Sequence, residues 1–72
     1  MIEWENLSDD DFISIQGDYK LRVEQMDYDC WWWEVYYKDD PVMGHCHYQP
    51  ETEELAKAFA EMVYLAHKRG IS

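Results

Sequence analysis

The chain has 72 residues, 47% of them hydrophobic and 17% aromatic, with sixteen acidic side chains against six basic ones for a formal charge of −10. That charge argues against direct binding to DNA, RNA or an anionic membrane, which need clustered Lys and Arg, and the aromatic content argues against disorder. Two cysteines, Cys30 and Cys46, are too few for a disulfide framework. No stretch approaches the about 20 apolar residues of a membrane span. The opening Met1-Ile2-Glu3-Trp4-Glu5 has neither the basic start nor the apolar run of a signal peptide. The expectation is one cytoplasmic domain over residues 1–72 with reduced thiols, its small core built mainly from aromatics.

Residues 1–17 read two ways. Phe12-Ile13-Ser14-Ile15 followed by Gly17 suits a first strand, with Ile13 and Ile15 facing the core; alternatively, Ser8 caps a short helix whose first turn holds Asp9, Asp10 and Asp11. The core parity of the two isoleucines favours the strand. Trp4 and Leu7 are expected to cover one edge of the core.

The sheet is expected over residues 18–48. In Tyr19 to Gln25 the odd positions Tyr19, Leu21, Val23 and Gln25 alternate with Lys20, Arg22 and Glu24. In Cys30 to Tyr37 the odd positions are Trp31, Trp33, Val35 and Tyr37. Core residues must oppose core residues, so paired numbers sum to an even number. A three-residue loop, Asp27-Tyr28-Asp29, satisfies this and sets Val23 against Trp33, Leu21 against Val35 and Arg22 against Glu34. A third strand follows Asp39-Asp40-Pro41. A loop over residues 38–41 sets Val42 opposite Tyr37 and Cys46 opposite Trp33, with Met43, His45 and His47 on the outer face.

A helix is expected over residues 50–69. Pro50 suits its start, the nearby acids suit the positive end of its dipole, and Gly70 suits its end. Leu55, Phe59, Met62, Val63 and Ala66 form an apolar stripe, with Glu53, Lys57 and Glu61 on another face. The fold class is therefore α+β: a three- or four-stranded antiparallel sheet with one C-terminal helix packed on one face. Its core is expected from Leu21, Val23, Trp31, Trp33, Val35, Phe59, Met62 and Val63.

The candidate partner-binding residues follow from this parity. Trp32 stands on the face opposite Trp31 and Trp33, with Glu34 and Tyr36. Trp and Tyr are the common anchors of protein interfaces, although Trp32 packed flat on neighbouring stems is the plainer alternative. Asp9, Asp10 and Asp11, Asp27 and Asp29, Asp39 and Asp40, and Glu51, Glu53 and Glu54 lie at turns or element starts and offer a negative surface that would steer the protein onto a basic groove, with Asp9, Asp10, Asp11, Asp39 and Asp40 as its partner-binding residues. Their plainer role is turn chemistry and solvation. His45, Cys46 and His47 resemble a metal signal, but on a strand the histidines share one face and the cysteine takes the other, so no metal or other cofactor is expected. The chain has no glycine-rich phosphate loop, nucleophile elbow or His-Glu-x-x-His, and no enzyme is expected.

The stretch "WWWEVYY…PVMGHCHYQPETEELAKAFAEMVYLAHKRG" resembles the strand-strand-helix layout of small phage and prophage accessory proteins, among which acidic chains of this size include anti-CRISPR and anti-restriction inhibitors. The likeness spans the layout of residues 19–70 and carries no motif. It implies a nucleic-acid mimic: an inhibitor that binds a basic host protein or nucleoprotein complex. The alternative is a structural or assembly module that homodimerises through its aromatic sheet face or a sheet edge. The two differ in charge placement, since an inhibitor gathers its acids on one side.

Overall fold

A computed structural model describes residues 2–44 and 50–71. Among these residues, five strands, β1 (Glu5–Ser8), β2 (Asp11–Gln16), β3 (Tyr19–Asp27), β4 (Cys30–Tyr37) and β5 (Asp40–Gly44), form one antiparallel sheet in chain order. One helix, α1 (Glu53–Ile71), packs on a single face. The class is α+β as expected, with more strands than the three or four predicted.

The central hairpin has the predicted register. Tyr19 pairs with Tyr37, Leu21 with Val35, Arg22 with Glu34 and Val23 with Trp33. Its tip differs. Asp27 pairs with Cys30 across the two-residue turn Tyr28-Asp29, and a bulge between Gln25 and Asp27 absorbs the extra residue.

The N-terminal third is two strands rather than a capped helix. Ser8 Oγ donates to Asp10 Oδ1 (3.0 Å) inside the β1–β2 turn. The inward residues of β2 are Phe12 and Ser14; Ile13 is half-buried and Ile15 is 60% exposed, which reverses the predicted parity. The cause is the turn. Gly17, at φ +63°, and Asp18 make a two-residue connection that pairs Gln16 with Tyr19, so partner numbers sum to an odd value. Buried Ser14 is satisfied on both sides: its hydroxyl donates to the Glu3 carbonyl (2.6 Å) and accepts from Gln16 Nε2 (3.0 Å). Trp4 packs on the core as expected, while Leu7 is exposed.

The β4–β5 turn is shorter than the expected loop. Lys38 and Asp39, both at positive φ, connect Tyr37 to its partner Asp40. A register shift between Val35 and Tyr36 then pairs Val35 with Met43 and Glu34 with Gly44, in place of the predicted Val42–Tyr37 pairing. Val42 still packs against the core. His45, Cys46 and His47 lie outside the described residues.

Thr52 caps α1: its Oγ1 accepts from Leu55 N (3.2 Å) and its carbonyl from Ala56 N (3.1 Å). Pro50 precedes the helix instead of starting it. It is fully buried, and its carbonyl accepts from Trp31 N (2.9 Å), tying the helix entry to the start of β4. The helix continues through Gly70.

The face of α1 on the sheet is Ala56, Ala60 and Tyr64, with Phe59, Val63 and His67 beside them; of the predicted stripe Phe59 and Val63 pack on the core as expected, whereas Leu55, Met62 and Ala66 are exposed. The two alanines are fully buried, and their small size lets the helix approach the sheet closely. Phe59 stacks on Trp33 (centroids 6.1 Å apart, planes at 16°), and Tyr64 meets Tyr19 edge-on (4.8 Å, 79°). Lys57, paired with Glu53 at 2.7 Å, holds its ammonium 3.9 Å above the Phe12 ring.

Candidate functional site

Alternation and backbone pairing place nine side chains of β2, β3 and β4 in three rows on the sheet face away from α1: Asp11, Glu24 and Trp32; Ile13, Arg22 and Glu34; Ile15, Lys20 and Tyr36. Among the described residues no helix or strand covers this face. Trp31 and Trp33 are buried, and Trp32 is half-buried on the open face. The three tryptophans of the run therefore divide as parity requires.

The charges of this face are largely matched to one another. Arg22 binds Asp11 through two bonds, Nε to Oδ1 at 3.3 Å and Nη2 to Oδ2 at 2.9 Å, and lies 3.8 Å from Glu24. The Asp11 bond holds the guanidinium above its already high ordinary pKa. Arg22 thus pairs across to β2, although Glu34 is its partner on β4. Tyr36 donates its hydroxyl to Glu34, and that bond, together with burial, raises the phenol above its ordinary value. Lys20 lies 5.7 Å over the Tyr36 ring.

The meander decides which acids meet. Alternate turns of an up-and-down sheet lie at the same end, so the β1–β2 turn (Asp9, Asp10) sits beside the β3–β4 turn (Asp27, Tyr28, Asp29). Gln25 N donates to the Asp10 carbonyl (2.8 Å) and joins them. The Trp31–Pro50 bond brings the entry of α1, with exposed Glu51 and Glu54, to this same end. Tyr28 stands at its tip, 91% exposed. Its amide donates to Asp27 Oδ1 (2.7 Å) and its carbonyl accepts from Gln25 Nε2 (3.0 Å), so the turn is ordered while the ring stays in solvent. Asp10, Gln25, Met26, Asp27 and Tyr28 line a shallow hollow of about 330 Å³ there.

Of the predicted residues, the fold groups Asp9, Asp10 and Asp11 with the Trp32 row. It separates Asp39 and Asp40, at the opposite end, along with Tyr36 and Glu34 farther down the face. At that far end Asp18 and Asp39 lie near Lys20 and Lys38 around one hollow, and Lys68 lines the next. The sequence reading counted Asp27 and Asp29 in the negative surface without choosing them as partner-binding residues, and it missed Tyr28 as a surface feature. The available signal was an aromatic flanked by two acids at a predicted hairpin tip.

A hollow of about 460 Å³ is open and lies at the end where α1 finishes, lined by Tyr19, Tyr37, Tyr64 and Lys68 among others. Among the described residues no three His, Cys, Asp or Glu side chains are placed to hold a metal, and no helix is long and apolar enough to cross a membrane. No protein-family model, curated protein or solved structure matches this chain.

Proposed function

We propose that this protein is a non-enzymatic binding protein that docks its acidic end on a basic, nucleic-acid-binding surface of a protein partner and blocks it. One observation carries the reading: three separate segments of chain deliver Asp9, Asp10, Asp27, Asp29, Glu51 and Glu54 to one end of the sheet, around an aromatic ring held out in solvent. A groove that accepts phosphates also accepts carboxylates clustered in this way, and long-range attraction speeds the encounter. Tyr28 and the adjoining Trp32 supply apolar anchors that slow release. This is the role that the resemblance to phage and prophage inhibitors implies, and it belongs in the cytoplasm with the nucleoprotein machinery.

The test is to isolate the bound partner from the cells in which the protein works, then to measure association and dissociation rates and displacement of nucleic acid. Replacing Asp9, Asp10, Asp27 and Asp29 by Asn is expected to slow association about tenfold at low salt. The same change at Asp18, Asp39 and Asp40 is expected to leave it nearly unchanged. Tyr28→Ala is expected to speed dissociation. Equal effects from the two ends, or a partner that keeps its nucleic acid when bound, would refute this reading.

A further inference from the structure

The helix carries a second apolar stripe that the sheet does not use. Leu55, Ala58, Met62 and Leu65 follow one another at intervals of three, four and three, the spacing of a helix–helix seam. At about 100° per residue they lie on the side of α1 opposite Ala56, Ala60 and Tyr64. All four are exposed, Met62 at 57% and Leu65 at 53%.

We propose that this stripe is a dimer interface and that its occupant is the same stripe of a second copy, running antiparallel. Two features of α1 select that partner. The first is shape. In an antiparallel register whose paired numbers sum to 120, Leu55 meets the copy's Leu65 and Ala58 meets the copy's Met62, so each layer sets leucine on leucine or a large residue on a small one. The second is charge. The helix carries Glu53 and Glu54 in its first turn and Lys68 and Arg69 in its last. The same register brings Glu54 alongside the copy's Lys68, at both ends of the seam. A parallel pair would set acid on acid at one end and base on base at the other. The residue nearest its own copy is Glu61, which accepts a bond from Trp4 Nε1 (3.2 Å) toward the N-terminal segment. The dimer engages Glu54 at the margin of the acidic end, and its seam does not include Asp9, Asp10, Asp27, Asp29 or the Tyr28 tip.

Sedimentation velocity over about 1–500 µM tests this, since a seam of one helix per copy suits a dissociation constant in the micromolar range. The native chain is expected to pass from monomer to dimer over that span. Met62→Glu places a charge in the seam twice per dimer, and it is expected to raise the dissociation constant at least about 100-fold with an unchanged circular-dichroism spectrum. Lys68→Glu is expected to weaken the dimer as well, and adding Glu54→Lys to restore it. A native chain that stays monomeric throughout, a dimer that survives Met62→Glu, or a double charge reversal that stays monomeric would each overturn the proposal.

Discussion

Tyr19 is a polar residue that serves as a centre of the core. Its ring contacts Tyr37, Tyr64 and His67, and its hydroxyl lies 2.6 Å from His67 Nδ1, so the one polar atom is satisfied where sheet and helix meet. Burial raises the phenol above its ordinary pKa of 10.0, and charge on Tyr37 or Tyr64 would push it further. A group whose folded pKa is raised contributes stability that is complete below the unfolded value and lost as pH climbs through the folded one. Urea denaturation is therefore expected to show stability falling as pH rises above 10.0, and Tyr19→Phe is expected to flatten that fall. Tyr36, raised by its bond to Glu34, contributes in the same window and leaves a residual slope. The adjacent tryptophans separate core from surface just as sharply. Trp33 is buried in a stack with Phe59, so Trp33→Ala is expected to cost about 3–5 kcal/mol. Trp32→Ala, on the open face, is expected to cost about 1 kcal/mol in the same denaturation measurement.

At the level of elements, short turns overrule side-chain hydrophobicity. The β3–β4 register was legible because both strands alternate cleanly and parity admits few pairings; Trp31, Trp33, Leu21 and Val35 all lie where alternation puts them. β2 was misread because Ile13 and Ile15 are more apolar than Ser14 and Gln16, whereas its facing follows from the Gly17-Asp18 turn. β1 was missed because all four of its residues are exposed and no alternation marks it. The helix was found but rotated: with apolar residues on two sides, alanines that permit close approach took the sheet and the larger Leu55 and Met62 did not. The β4–β5 turn has a measurable consequence. Lys38 at φ 51° and Asp39 at φ 69° occupy the left-handed region that Asn-Gly fills more easily. Lys38→Asn with Asp39→Gly is expected to stabilise the domain by about 1–2 kcal/mol, read from its denaturation midpoint. Gly17→Ala, at φ +63° with nothing within 4 Å to obstruct the new methyl, is expected to lose about 1 kcal/mol through backbone strain alone.

Across the whole molecule, the uneven placement of charge matters more than its sum. The acids at turns and element starts were legible in the sequence as a negative surface, but which turns share an end depends on strand number, so Asp39 and Asp40 were chosen with Asp9, Asp10 and Asp11 as partner-binding residues while Asp27 and Asp29 were not. The domain measures 37 × 25 × 21 Å. At 0.01 M salt the screening length is about 30 Å, and charges at opposite ends repel one another; at 0.15 M it is about 8 Å, and only neighbours interact. Self-repulsion in a chain of formal charge −10 opposes the compact state, so its thermal midpoint is expected to rise between these two salt concentrations. The two ends should not contribute equally. Asp9, Asp10, Asp27 and Asp29 repel one another across adjoining turns, whereas Asp18 and Asp39 share their hollow with Lys20 and Lys38. Changing the first four to Asn is expected to raise the low-salt midpoint and remove much of the salt dependence. Changing Asp18, Asp39 and Asp40 to Asn takes attractive partners from the lysines and is expected to leave the low-salt midpoint level or lower it. Calorimetry of the two variants at both salt concentrations distinguishes the ends, and equal gains from both would mean that the acids act through total charge and not through their place in the fold.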